Sequence, residues 1–296
     1  MKKCDLCPRK CNIDRSLRPG FCGVGTQLSA ARAGLHFWEE PCISGSGGSG
    51  AVFFSGCNLR CVFCQNRAIS RGGTGREITV KRLREIFDEL IWQGADNINL
   101  VTPTHFTDLI AEALAAEKLP VPVVWNSSAY EEPETLKTLE GLVDIYLPDY
   151  KYADGTLAAK FSRAPDYPQR AWAAIKEMVR QTGDYRLDED GMLLSGVLIR
   201  HLVLPGHVDN TLDVIDRITA NFTDETVLFS LMSQYTPPEE PLPYPELNRR
   251  LTKEEYDRAV DYLYLCGWEN GYVQELSSAQ SEYTPDFDGT GVESSG

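Results

Sequence analysis

Ser55-Gly-Cys57-Asn-Leu-Arg-Cys61-Val-Phe63-Cys64-Gln-Asn66 puts three cysteines on one short loop at the spacing C-x3-C-x2-C. The loop directly follows Ala51-Val-Phe-Phe54, an apolar run rich in β-formers that reads as a buried strand. Three thiolates so spaced can hold three irons of a [4Fe–4S] cube and leave the fourth iron open. A closed zinc site needs four ligands, and this loop offers three with no histidine beside them. The carboxyl ends of strands are also where α/β barrels build their active sites.

Downstream, helix and strand alternate. Thr79 caps a helix in which Leu83, Ile86, Phe87, Leu90 and Ile91 recur at helical spacing, and Gly94 ends it. Further strands are predicted at 97–101, 121–125, 143–147, 197–204 and 226–232. Helices are predicted at 106–116, 133–140, 168–181, 209–220 and 252–266. With the strand at 51–54 these units predict an α/β chain whose parallel sheet, with right-handed crossovers, forms a partial (β/α)6 barrel. Residues 51–276 are read as this barrel, 1–50 as a cysteine-rich metal-binding extension and linker, and 277–296 as a partly disordered tail. Within the tail, Tyr283 to Gly289 is read as a short strand or lid over the barrel mouth, and the final Glu-Ser-Ser-Gly as disordered.

The chain has 296 residues, 42% of them hydrophobic, enough to bury a full core. A net charge of −14 argues against nucleic acid or an anionic membrane as partner. Met1-Lys-Lys is followed by cysteines and charges with no apolar h-region, and no apolar stretch of about 18 residues suggests a membrane span. Nine cysteines in such a chain point to metal or redox chemistry in a reducing cytoplasm.

Cys4, Cys7, Cys11 and Cys22 form a second constellation, set among Pro8, Pro19, Gly20, Gly23 and Gly25. A segment so poor in apolar surface needs a metal or the main domain to hold it. Four thiolates suit a structural zinc or a second iron–sulfur cluster, and the sequence leaves both open. Cys42 and Cys266 read first as small core residues, with a redox or fifth-ligand role for Cys42 as the alternative. The run Gly45-Ser-Gly-Gly-Ser-Gly50 has no P-loop lysine and leads into a strand, so it reads as a flexible lead-in.

The C-x3-C-x2-C loop, with an aromatic before its last cysteine, resembles that of the radical S-adenosylmethionine superfamily, and more narrowly iron–sulfur proteins similar to the pyruvate formate-lyase activating enzyme. The resemblance implies that Cys57, Cys61 and Cys64 ligate a [4Fe–4S] cluster whose open iron chelates S-adenosylmethionine. One electron then cleaves the sulfonium and yields a 5′-deoxyadenosyl radical. It also implies that Phe63 lies against the adenine, with a core anchor for the loop as the other reading. Gln65-Asn66 resembles the Cys-His-Asn ending of the activating enzymes, with glutamine for histidine.

The strand ends supply the remaining cofactor candidates. The second ends Thr102-Pro-Thr104-His105, where the related enzymes carry Gly-Gly-Glu. Threonine hydroxyls and carbonyls would receive the methionine ammonium here, and Thr104 also reads as a helix N-cap. Asn126 and Ser128, after the third strand, suit ribose or carboxylate hydrogen bonds. Asp149 and Lys151 stand two apart and point the same way. The resemblance matches them to an Asp-x-Lys near the cofactor. Arg200 matches the arginine that begins an R-x-V-x-x-P-G-like strand, and is expected at the methionine carboxylate or sulfonium. His201 is then expected to pack outward, and Met232 to Tyr235 to line the substrate end. No catalytic side chain is assignable beyond the cluster.

Three functions follow from this reading. The chain is an enzyme that abstracts hydrogen from a glycine of a partner protein, as a glycyl-radical activase does. Or it modifies a peptide or small molecule by radical chemistry. Or it is a non-catalytic iron–sulfur or zinc sensor, against which the polar strand ends speak. The first two need an electron donor such as flavodoxin or ferredoxin.

Overall fold

The alternating segments fold as one open sheet in the computed structural model of the chain, which describes residues 3–71, 73–276 and 284–293. The first strand, β1 (Leu28–His36), leads through the one-turn helix α1 (Pro41–Ser44) into β2 (Ser49–Phe54). β1 and β2 pair antiparallel. After the cysteine loop come α2 (Arg67–Ser70), β3 (Arg76–Ile78), α3 (Val80–Trp92) and β4 (Asn97–Val101). Then follow α4 (Thr107–Ala115), β5 (Val123–Ser127), α5 (Pro133–Leu136), β6 (Ile145–Pro148), α6 (Gly155–Ser162) and α7 (Tyr167–Thr182). The hairpin β7 (Arg186–Leu187) and β8 (Leu193–Leu202), α8 (Val208–Thr219), β9 (Leu228–Met232), α9 (Lys253–Leu265) and β10 (Gly271–Val273) complete the order.

Strands β2, β4, β5, β6, β8 and β9 lie side by side in chain order, all parallel. These are the predicted barrel strands. β10 extends the row at one edge, and β1 and β3 extend it at the other, so the sheet stays open. Helices cover the convex face, so β2, β4, β5, β6 and β9 are buried along their whole length. Near-continuous apolar runs are what that burial requires. α3 starts where Thr79 accepts from the Arg82 N–H at 3.0 Å, and it buries Leu83, Ile86, Phe87 and Leu90. α9 opens on a capping box of Thr252 and Glu255.

Some boundaries move. β8 begins at Leu193, earlier than the predicted 197, because β7 folds back on it. Residues 1–50 hold more than an extension and linker: β1 is a full strand of the sheet. Its Leu-Ser-Ala-Ala-Arg-Ala-Gly-Leu-His sequence lacks the branched and aromatic residues that betray a strand. The stretch after it turns into the concave side. There Cys42 and Ile43 pack against Val124, Ile145, Leu147, Leu198 and Leu228, and Asn97 Nδ2 donates to the Ile43 carbonyl at 2.6 Å. Glu40, Cys42 and Ile43 therefore plug the barrel from within, while Phe37 and Trp38 stay exposed.

The described part of the tail also returns to β1. Ala33 N–H donates to Thr290 and Gly289 N–H to Ala31, each at 2.9 Å, while Phe287 packs edge-on against Phe53. Glu293 is held by Arg76 and Arg82. Tyr283 and residues 294–296, on which the lid and disorder expectations partly fall, lie outside the described residues. Among the described residues no helix is long and apolar enough to cross a membrane.

Candidate active site

β2 delivers the cysteine loop to the carboxyl end of the sheet. Gly56 takes φ +88°, and a Cβ there would stand 2.7 Å from the Cys22 carbonyl oxygen, so only glycine lets the chain turn so close. The loop is then tied down on several sides. Cys57 N–H donates to the Cys22 carbonyl at 3.1 Å and Val62 N–H to Phe161 at 2.9 Å. Asn58 Nδ2 donates to the Tyr130 carbonyl at 2.6 Å. Arg9, its guanidinium 3.8 Å from the Phe21 ring, donates to the carbonyls of Asn58 at 2.8 Å and Ser162 at 2.7 Å.

Cys57, Cys61 and Cys64 line one end of a cavity of about 220 Å³ at the mouth of the partial barrel. Burial raises the pKa of Cys57, and that of Cys64 is pushed up to about 12, by burial first and then by Cys61 and Cys57. Buried thiols that face one another resist ionising together, and a bound metal would supply the positive charge to offset that. Leu59 N–H reaches Cys57 Sγ at 3.4 Å and Ser162 Oγ reaches Cys61 Sγ at 3.2 Å, contacts of the kind that would tune a cluster held there. This donor set fits a [4Fe–4S] cube with one iron free of protein.

The cavity continues over the strand ends. Asn66, Thr102, Asn126, Ser128, Asp149, Lys151 and Arg200 all line it, as do Met232 and Gln234. Phe63 lines it too, wedged among Tyr152, Phe161 and Tyr235 at ring separations of 6.2–6.4 Å. Thr104 stands apart from them. It opens a 3-10 turn, buried, and donates to Glu131 at 2.9 Å; Phe106 holds the N-cap position of α4. Trp125 and Ser127 also donate to Glu131, so that buried carboxylate braces the strand ends. His201 faces the convex side, its ring nitrogens 2.7 Å from the Tyr150 carbonyl and 3.0 Å from Thr211 Oγ1. Tyr235 is core, its hydroxyl donating to the Leu247 carbonyl at 2.7 Å.

Arg200 is the hub. Its Nε donates to Asp149 at 2.8 Å, Nη1 to Glu39 at 2.7 Å and Nη2 to Asn126 at 2.8 Å. Lys151 Nζ donates to the other Asp149 oxygen at 2.7 Å. Burial works to raise the Asp149 pKa, but Arg200 and Lys151 outweigh it and hold that carboxyl below its usual range. The fork expected for a ligand carboxylate is thus already occupied by protein groups. Glu39 also accepts from Asn99 and Asn126, each at 3.1 Å, and Glu40 stands 3.6 Å from Arg200. Neither glutamate was visible as a site residue in the sequence, since both come from the plug. The single available hint was Glu39-Glu-Pro, two acids ahead of a proline in an otherwise apolar stretch.

Behind the loop, Cys4, Cys7, Cys11 and Cys22 gather in the N-terminal segment. Cys7 is pushed up to about 12 by burial, with smaller contributions from Cys22 and Cys4, and Cys22 is raised by burial and by Cys4 and Cys11. Phe21 N–H points at Cys11 Sγ at 3.4 Å. Among the described residues no three His, Cys, Asp or Glu side chains are grouped tightly enough to hold a single metal ion, and this applies to both cysteine sets. Cys42 belongs to the plug, and Cys266 to the C-cap of α9.

Residues 51–218 match the model of the radical SAM superfamily. An uncharacterized protein of Methanocaldococcus jannaschii is 30% identical over 275 residues, which cover 88% of this chain and 74% of that one. The chain also superposes on Streptococcus suis SuiB bound to S-adenosylmethionine, with a TM-score of 0.52 at 17% identity, covering 78% of this chain and 51% of SuiB. For SuiB bound to the precursor peptide SuiA, the TM-score is 0.52 at 16% identity, covering 75% and 48%. At such identity the likeness is one of fold, and the chain spans about half the length of SuiB.

Proposed function

Since the chain belongs to the radical SAM superfamily, we propose that it is an enzyme that abstracts hydrogen from a polypeptide segment, with Cys57, Cys61 and Cys64 as ligands of its [4Fe–4S] cluster. When bound, the cluster and S-adenosylmethionine supply one-electron cleavage of the sulfonium and a 5′-deoxyadenosyl radical. The observation that carries the reading is the convergence of three thiols, Asp149, Lys151, Arg200 and Asn126 on one cavity.

The chain's own residues bind and orient. Asn66, Thr102 and Ser128 offer amide and hydroxyl groups around the cavity, and the Ser128 hydroxyl is buried without a partner. An orphaned buried hydroxyl invites a ligand's hydrogen bond. Lys151, near Cys61, brings positive charge toward the thiolates. Arg200 acts as a positioning residue that locks Asp149, Glu39 and Asn126. Thr104 does its work through Glu131.

Gln65, Gln234, Gln274 and Thr284 contribute uncharged amide and hydroxyl groups to the same cavity, a lining suited to peptide backbone. The segment would come from a partner protein, as for a glycyl-radical activase, or from a short peptide; a small molecule is the other substrate class. A reductant such as flavodoxin or ferredoxin supplies the electron. Cys4, Cys7, Cys11 and Cys22 are proposed as a second metal site, zinc or iron–sulfur, whose thiols draw together as the metal binds and so stiffen the segment holding Cys57. The sensor reading has no use for the polar ring around the cavity.

Anaerobic, reconstituted protein with dithionite should convert S-adenosylmethionine to 5′-deoxyadenosine, and the Cys57→Ala, Cys61→Ala, Cys64→Ala triple variant should not. Product from the triple variant would sink the ligand assignment. Iron, sulfide and zinc content of that variant reads the second site separately.

A further inference from the structure

Charge is unevenly spread along the chain. Residues 1–71, which hold both cysteine sets, carry ten Lys and Arg against four Asp and Glu, whereas the rest carries nineteen against thirty-nine. Two of those four acids, Glu39 and Glu40, stand inside the pocket beside Arg200, and Asp14 accepts from the Ser16 N–H at 2.9 Å, which leaves Asp5. The surplus cations gather around Phe21. The Arg9 guanidinium lies 3.8 Å from its ring centre and that of Arg60 5.5 Å. Arg60 donates to the Arg71 carbonyl at 2.6 Å, and Arg9 to the Arg163 carbonyl. Among the described residues none of these four arginines pairs with a carboxylate, while Glu132, 3.3 Å from Lys10, is already shared with Arg170 at 3.5 Å. Arg71 and Arg163 are exposed and Arg60 is half-buried. None of the four lines the cavity.

We propose that Arg60, Arg71 and Arg163, grouped around Phe21 on the side of the cysteine loop away from the cavity, form the docking surface for a small acidic one-electron carrier protein. One electron passes from the reduced carrier, which is oxidised by one, to the cluster that Cys57, Cys61 and Cys64 would hold. No bond forms or breaks between the two proteins. In naming an electron carrier the inference rests on the function proposed above.

Position and charge both favour this occupant. Arg60 lies on the loop itself, between Cys57 and Cys61, and Phe21 precedes Cys22, whose carbonyl accepts from the Cys57 N–H at 3.1 Å. A carrier seated on Phe21 is therefore separated from the loop's cysteines by a few bonds. It also leaves the cavity mouth to the substrate, so the two partners need not compete. A patch of one sign steers an opposite charge, and the acidic remainder of the chain repels an acidic carrier from every other face. Leu17, four residues before Phe21, is 75% exposed and offers an apolar contact inside the charged ring. A nucleic acid would need a longer basic groove to track its backbone, and here it would run onto acidic surface.

The test pairs binding with turnover, on the anaerobic, cluster-loaded full chain. Calorimetric titration with an acidic flavodoxin and an acidic ferredoxin, at low and high salt, reads the surface directly. Wild type should bind at least one of them, more weakly as salt rises. The Arg71→Glu, Arg163→Glu double variant should bind that carrier about tenfold more weakly at low salt, with the gap closing at high salt. Arg71→Lys, Arg163→Lys keeps the charge and should bind like wild type. Formation of 5′-deoxyadenosine driven by the carrier should fall in the glutamate variant, while formation driven by dithionite should stay at the wild-type rate. Equal affinity in wild type and the glutamate variant overturns the proposal, as does binding of neither carrier. Equal loss of both activities overturns it too, because the arginines would then hold the loop and not a partner. Tighter binding of a single-stranded oligonucleotide than of either carrier assigns the patch to nucleic acid instead. Should wild type form no product with dithionite, the proposed function falls, and the titrations still read the surface by themselves.

Discussion

The N–H of Cys57 donates to the carbonyl oxygen of Cys22 at 3.1 Å, so the first cysteine of the pocket loop hangs from the last of the N-terminal four. Gly56 makes the approach possible. Gly56→Ala adds a methyl where the carbonyl stands and forces a left-handed φ on a residue with a side chain. A loss of about 1–3 kcal/mol is expected, with less iron retained per chain. Thermal denaturation and iron analysis check it.

Arg200→Met should be among the most damaging single changes. It leaves Glu39, Glu40 and Asp149 facing one another with Lys151 as their remaining counter-charge. Removing one partner of a buried ion pair costs about 3–5 kcal/mol. Denaturant unfolding of the metal-free protein would measure it. A loss within the error of that measurement would show that the network is not organised around Arg200.

Asp149 makes the pocket sensitive to acid. Its carboxyl is held below the usual aspartate range, so its stabilising contribution is present above that range and is lost as pH falls through the lowered value. Asp149→Asn should be less stable than wild type at neutral pH, and the two curves should converge in acid. Urea midpoints across the acid range read this, and a constant gap would refute it.

Phe63→Ala empties a space bounded by Tyr152, Phe161 and Tyr235. The expected loss is about 3–5 kcal/mol, with weaker cluster retention because the loop loses its anchor. Phe63→Leu should keep most of both. If Phe63→Ala keeps full stability and yet weakens S-adenosylmethionine binding, the ring's role is toward the cofactor alone.

The parallel strands and the helices between them were legible because each carries its own pattern: Leu83, Ile86, Phe87 and Leu90 on α3, an unbroken apolar run from Ala51 to Phe54 on β2. The cysteine loop was legible because its spacing has few other uses. β1 was hidden by its alanines and glycine, and with it the boundary at residue 50. Glu39 and Glu40 were hidden for a different reason. Their importance comes from where the plug puts them, next to an arginine 161 positions beyond Glu39, and no local pattern encodes that. Thr104 shows the reverse failure. It sits at the right strand end, but its hydroxyl turns to Glu131.

Glu39, Glu40, Cys42 and Ile43 precede the stretch 51–218 that identifies the superfamily, yet they form the floor beneath its pocket. Cluster chemistry and pocket depth are therefore written in separable parts of the chain. A longer, shorter or differently charged plug would change which ligand fits without displacing one cysteine of the loop, much as a drawer takes a new base while its frame stays put.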